Sequence, residues 1–155
     1  MKLARIVLFA VAALLALPAF AQTSSDMQIL AQKIKADKKL VVAANMQLTE
    51  AEAKGFWPVY DAYQSDLQGI NKQLLGVIKS YADVYNKGPV SDEAAKKLIN
   101  QAIAVEEAEV KLKRSYVPKL EKVVPGMKVA RYLQIESKIR AIGKFELAAQ
   151  IPLVE

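Results

Sequence analysis

The amino-acid sequence predicts an all-α protein with four helices. No segment alternates apolar and polar residues with the two-residue period of a strand, and every long segment follows helical spacing. Adjacent glycine and proline residues at 88–89 and 125–126 separate the long helical segments. We expect helices at about 25–45, 49–86, 91–123 and 125–150, with the two long ones forming a kinked antiparallel hairpin.

Residues 1–21 have the pattern of a signal peptide. Two basic residues precede an apolar run at 6–17, and the small-residue pattern that ends at Ala21 fits a cleavage site. The apolar run is shorter than the roughly 20 residues of a membrane span. We expect cleavage after Ala21 and a periplasmic protein without stable membrane insertion, in which residues 22–155 form a single all-helical domain. An uncleaved anchor is the alternative.

The residue types of the chain limit the chemistry that it can perform. The sequence contains neither Cys nor His, and its formal net charge is +6. Thiol nucleophiles, His-based catalytic triads and the usual transition-metal ligands are therefore excluded. Basic and acidic residues are interspersed, so they form no concentrated footprint for nucleic acid. We expect a protein that is not an enzyme, with no cofactor, no metal site and no nucleic-acid partner.

Capping boxes mark the start of the first two helices. Ser25 is followed three residues later by Gln28, and Thr49 is followed by Glu52. After Ser25, apolar residues recur at helical intervals as far as Asn45. In the second helix the intervals alternate between four and three residues, which is the seam of a heptad pattern. The seam residues are Phe56, Tyr60, Tyr63, Leu67, Ile70, Leu74, Val77, Tyr81 and Val84.

Two prolines interrupt the long helices at positions that face each other. In an antiparallel hairpin about the 87–90 turn, Pro58 lies opposite Pro118, so both helices should bend at one level. Four aromatic residues near this bend form our candidate partner contact: Phe56, Trp57, Tyr60 and Tyr116. Trp57 either covers the gap opened by the kink, as part of the core, or contacts a partner on the curved face.

The third helix carries two apolar stripes side by side after its candidate cap, Ser91. We expect this wide apolar face to contact two neighbouring helices. Glu107 and Glu109 each stand four residues before a lysine, which predicts a solvated acidic face neutralised by surface ion pairs. The second stripe consists of Ile99, Ile103, Val110, Val117 and Leu120.

The fourth helix is expected to direct its apolar residues inward: Val129, Tyr132, Ile135, Ile139, Ile142 and Phe145. Polar residues of this helix and the start of the second helix form a candidate junction network: Leu48, Thr49, Glu52, Arg131, Gln134, Glu136 and Arg140. Glu136 and Arg140 are four residues apart and can pair on one helix. The network either staples the junction to the hairpin or forms a polar recognition patch.

The sequence LTEAE at residues 48–52 lies between the first and second predicted helices. With this motif, the export signal and the order of helices, the chain resembles the Spy/CpxP superfamily of periplasmic helical proteins. Members carry an LTxxQ motif at this junction and again between the third and fourth helices. Here Glu52 replaces the glutamine, and the second junction keeps only a following Arg131 and Gln134.

The resemblance implies an ATP-independent chaperone or an envelope-stress adaptor that binds unfolded or envelope proteins and forms a homodimer. Metal-responsive relatives use His, Cys or Met, and the absence of His and Cys from this sequence argues against metal sensing. The alternative is a structural or regulatory subunit that docks on one specific envelope partner and has no chaperone activity. Suppression of the aggregation of unrelated unfolded proteins distinguishes these two hypotheses.

Overall fold

A computed structural model describes residues 37–154 of the chain. The chain divides into two units, Met1–Val41 and Val42–Glu155. The described residues of the first unit are helical. The predicted signal peptide at 1–21 and the beginning of the first predicted helix lie outside the described residues.

The described residues are all-α, as predicted, and they contain no strand. Helix α1 is described over residues 37–46. Three longer helices follow: α2 (Glu50–Tyr85), α3 (Asp92–Glu121) and α4 (Gly126–Gln150). Their bounds lie within two residues of the predicted ones, because caps and the glycine–proline pairs mark helix ends in the sequence.

Both long helices begin at the predicted caps. The Thr49 Oγ1 accepts a hydrogen bond from the Glu52 backbone N–H at 3.3 Å, and Glu52 Oε2 accepts one from the Thr49 N–H at 2.8 Å. This reciprocal pair is the predicted capping box. After α2 the chain turns at Gly88, whose φ of 129° is accessible to glycine without strain. Ser91 then caps α3 by accepting a hydrogen bond from the Ala94 N–H at 3.3 Å.

Helices α2 and α3 pack antiparallel along the predicted seam. The rings of Tyr63 and Tyr116 meet edge to face at 5.2 Å, and the Tyr116 hydroxyl donates to Asp66 Oδ2 at 2.6 Å. Nearer the open end of the hairpin, Gly55 lies against the side chain of Val123. The residues that meet therefore run in opposite directions along the two helices.

The two interior prolines lie within α2 and α3, as predicted. Pro58 stands between Gly55 and Asp66, and Pro118 stands between the residues that these two contact. The prolines therefore lie at nearly the same level of the hairpin. The bend that we expect there remains a prediction.

Helix α4 runs beside the hairpin, parallel to α2. The Tyr132 ring lies 5.2 Å from Phe56 and 5.9 Å from Tyr63, measured between ring centroids. Further along α4, Arg140 reaches Asn71 of α2. The core of the second unit is consequently rich in aromatic side chains: Val42, Met46, Phe56, Tyr60, Tyr63, Leu67, Tyr116, Leu120, Val124, Val129 and Tyr132.

The predicted inward face of α4 is wrong over its second half. Ile142 is 62% exposed and Phe145 is 77% exposed, whereas Glu136 is fully buried. Past Tyr132, the inward positions of α4 are taken by Glu136 and Arg140, which have polar partners on the other two helices. The apolar residues of this half of α4 therefore lie outside the core.

The second apolar stripe of α3 also fails in part to contact a neighbour. Ile99, Ile103 and Val110 are about half exposed, at 57%, 48% and 52%. Leu120 at the end of the same stripe is buried. The difference arises because α4 is bound to α3 through Glu109, on a different side of α3 from Val110.

Candidate functional site

Three of the four predicted contact residues lie in the core. Phe56, Tyr60 and Tyr116 are each at most 3% exposed, and Trp57 is half-buried against them. The indole of Trp57 packs edge to face on Phe56 at 5.2 Å and on Tyr60 at 5.3 Å. Trp57 is thus the member of this cluster that a partner can reach. Its packing favours the interpretation in which it covers the core beside Pro58.

The start of α2 is tied to α4 at the predicted junction. Lys128 Nζ donates to Glu52 Oε2 at 2.5 Å and to the Gln47 carbonyl at 2.9 Å, and Arg131 donates to Gln47 Oε1 at 3.4 Å. The hydrogen bond from Lys128, with that from the Thr49 N–H, lowers the pKa of the Glu52 carboxyl. Four acceptor and donor groups therefore staple this junction, with Lys128 at their centre.

The predicted junction network is divided between several places. Leu48 is half-buried next to the core, and Gln134 is exposed on α4. Thr49, Glu52 and Arg131 lie at the junction just described. The other two members, Glu136 and Arg140, lie further along α4 and bind residues of the hairpin.

Glu136 lies in a polar cluster that the three helices bury between them. It is fully buried, and its Oε1 accepts a hydrogen bond from Gln64 Nε2 at 2.8 Å. The same amide group lies 3.2 Å from the Tyr132 hydroxyl. A buried carboxylate needs such donors, since its burial without them is strongly unfavourable. The sequence gives no sign of this burial, because Glu136 falls between apolar positions of α4 that suggest a different inward face.

Arg140 ties all three helices together. Its guanidinium donates to Glu109 of α3 and, at 3.2 Å, to Asn71 Oδ1 of α2. Lys144 adds a second ion pair to Glu109, at 3.4 Å. The prediction of a solvated Glu109 is therefore wrong: this carboxylate is 6% exposed and pairs with α4. The bonds of Arg140 also go to other helices and not to Glu136 on its own helix.

Four core tyrosines stay protonated over the physiological range. Burial, together with the charge of Glu136, raises the pKa of Tyr60, Tyr63 and Tyr132 above the usual value. Burial and the hydrogen bond to Asp66 raise the pKa of Tyr116 to about 12. These hydroxyls therefore act as neutral polar groups in the core.

The most exposed surface of α4 has one basic half and one apolar half. Residues at intervals of three and four along α4 lie on one face of the helix, and those opposite the buried Glu136 are exposed. We call this the α4 outer face: Arg131, Gln134, Lys138, Ile142 and Phe145. The sequence analysis included Arg131 and Gln134 but assigned Ile142 and Phe145 to the core. Their regular spacing after Arg131 is the signal that could have revealed this face.

A second surface lies on α3. Half-exposed Ile103 and Val110 line a shallow groove together with charged residues of both signs. We call it the α3 groove: Ile103, Glu106, Glu107, Val110, Lys111 and Arg114. It lies on the exposed part of the second apolar stripe.

Two further observations apply to residues 37–154. In this part of the chain no three carboxylate, imidazole or thiol side chains are grouped so that they could hold a metal ion. None of the helices described there is long and apolar enough to cross a membrane.

The fold and its surfaces define an all-α protein whose exposed helical faces combine apolar and charged side chains. No protein-family model matches the chain, and no match was found among curated proteins or solved structures.

Proposed function

We propose that this protein is an exported periplasmic binding protein that holds segments of other polypeptides on the α4 outer face, as an ATP-independent chaperone or an envelope-stress adaptor does. The observation that carries the proposal is the exposure of Ile142 and Phe145, at 62% and 77%, on the same helix face as two basic residues. Exposed large apolar groups that share one face mark interaction sites more often than scattered ones do.

The composition of the α4 outer face selects the chemistry of its ligand. Burying one side chain such as Phe145 contributes about 1.5–3 kcal/mol, so two apolar anchors give weak binding once the cost of association is subtracted. Arg131 and Lys138 attract acidic residues through surface electrostatics. The preferred ligand is therefore an unfolded segment in which apolar residues lie next to acidic ones, and its release needs no ATP.

The buried side of α4 supports this use of its outer face. Glu136 and Arg140 anchor the helix to α2 and α3 through hydrogen bonds and an ion pair. Lys138 and Ile142 alternate with these anchors along the helix and lie on the opposite side. Anchoring reduces the conformational entropy that α4 loses when a polypeptide binds. The proposed role involves no catalytic step.

The test is the aggregation of unrelated unfolded proteins, followed by light scattering, in the presence of the purified chain. We expect the wild type to suppress aggregation and the double variant Ile142→Ser/Phe145→Ser to lose most of this activity. Both residues are exposed, so circular dichroism should show an unchanged helix content. Ile99→Ser, which removes an equally exposed apolar residue of α3, is the matched control and should keep the activity.

Two results would count against the proposal. If the wild type suppresses no aggregation, the chain is better explained as a subunit that docks on one specific envelope partner. If the double variant is as active as the wild type, a different surface binds the polypeptide.

A further inference from the structure

The α3 groove has a charge pattern that is complementary to itself. Along the exposed stripe of α3, Glu106 lies four residues before Val110 and Arg114 lies four residues after it. Ile103 and Val117 lie seven residues before and after the same valine. The acidic and the basic residue are thus at equal distances on opposite sides of an apolar centre.

A two-fold axis through Val110 turns this order into matching contacts. When two identical helices run antiparallel and cross on such an axis, residues at equal distances from the crossing point face each other. Glu106 then meets Arg114 of the second copy, and Ile103 meets Val117. Both contacts occur twice, because a symmetric interface repeats each one.

We propose that a second copy of this chain occupies the α3 groove, with two antiparallel α3 helices crossing at Val110. The axis buries the half-exposed Ile103 and Val110 of both copies and opposes charges of unlike sign. A crossing centred on Ile103 instead would set Val110 against Lys96 of the second copy, so the charge order selects the first arrangement. Surfaces that pair like or unmatched groups are rejected in the same way.

This interface is separate from the α4 outer face. Its residues belong to α3, and the residues that bind α4 to α3 lie around Glu109 on another side of the helix. Self-association through α3 therefore leaves Ile142 and Phe145 accessible in both copies. Failure of one proposal does not affect the other, since each has its own variants and its own readout.

The first test measures the mass of the purified chain by sedimentation velocity at several concentrations. We expect a dimer that dissociates about tenfold more readily after Arg114→Glu or Glu106→Arg, because each change opposes like charges twice. The double variant Glu106→Arg/Arg114→Glu should restore the dimer, since the pairs are then exchanged. Lys97→Glu, a charge reversal at an exposed position of α3 outside the groove, should have no such effect.

The second test uses the absence of native cysteine. Val110→Cys introduces one thiol per chain, which the axis brings next to its copy, so mild oxidation should give a disulfide-linked dimer. Gln101→Cys, on the other side of α3, should remain monomeric under the same conditions. A monomeric wild type, a dimer that is unaffected by both single charge reversals, or equal crosslinking through positions 110 and 101 would overturn the proposal.

Discussion

Gly55 of α2 lies directly against the side chain of Val123: a Cβ atom built on Gly55 would be 2.9 Å from both Cβ and Cγ1 of the valine. This separation is shorter than van der Waals contact, so a larger residue would push the two segments apart. We predict that Gly55→Ala lowers the free energy of unfolding by about 1–3 kcal/mol, as overpacking of a core does. Urea denaturation followed by circular dichroism measures the change.

Gly69 is the matched control for this variant. It also lies in α2, and a Cβ atom there would meet no other atom within 4 Å in the described part of the chain. Gly69→Ala should therefore stabilise the protein by up to about 1 kcal/mol, because alanine favours helix more than glycine does. A stabilising effect of the same size at position 55 would show that the close approach is not present.

Arg140 and Glu109 form a buried ion pair, and removing one partner leaves the other without its counter-charge. We predict that Arg140→Leu lowers the free energy of unfolding by about 3–5 kcal/mol. Lys144→Ala should cost less than about 1 kcal/mol, because this second partner of Glu109 is half exposed and its ion pair is long. Denaturation curves in urea provide both values.

The double variant Glu109→Leu/Arg140→Leu completes the comparison. It removes both charges and replaces them with apolar groups, so it should be more stable than either single variant. If the two single effects simply add in the double variant, the ion pair does not couple α3 to α4.

The sequence predicts the hairpin well and the position of α4 poorly, for a physical reason. The seam of α2 repeats apolar residues at fixed intervals, and such a pattern defines which face is buried. Glu136 and Glu109 are buried only because Gln64 and Arg140 on other helices satisfy their charges. No periodic signal within one helix reveals a partner on another helix.

The candidate sites follow the same rule. The aromatic residues next to Pro58 were predicted as a contact surface partly because the sequence cannot tell a buried aromatic cluster from an exposed one. The exposure of Phe145 likewise depends on the inward position of Arg140, which the spacing of apolar residues conceals. In contrast, the capping box of Thr49 and Glu52 involves neighbours in sequence and could be predicted in full.

Tyr116 should make stability depend on alkaline pH. Its pKa is raised from 10 in a free side chain to about 12 in the folded protein, by burial and by Asp66. The folded state therefore holds this proton more strongly than the unfolded state does. The stabilisation is complete below about pH 10 and is lost as the pH rises through the folded pKa of about 12.

The measurement is urea denaturation at several values between pH 9 and pH 12, a window chosen from about one unit below the ordinary tyrosine pKa to the raised one. Tyr116→Phe cannot ionise at this position, so its stability should fall less steeply across the window. If wild type and variant lose stability in parallel, Tyr116 does not contribute to the pH dependence.

Trp57 is the only tryptophan of the chain, so its fluorescence reports on one site. It packs on Phe56 and Tyr60, and we predict that Trp57→Ala lowers the free energy of unfolding by about 2 kcal/mol or more. The variant should still suppress aggregation, and the wild-type emission should not shift when an unfolded protein is added. A blue shift on addition, or loss of binding without loss of stability, would place the contact surface at Trp57 instead.

Polypeptide binding on the α4 outer face is the central claim, and a single reporter on that face tests it most directly. Ala141 is exposed next to Ile142, and the chain has no other thiol, so Ala141→Cys can carry an environment-sensitive fluorophore. We predict a blue shift and increased intensity that saturate as an unfolded protein is titrated in, with no change for the same label at Ala104→Cys on α3. An unchanged signal at position 141 while aggregation is still suppressed would contradict the claim.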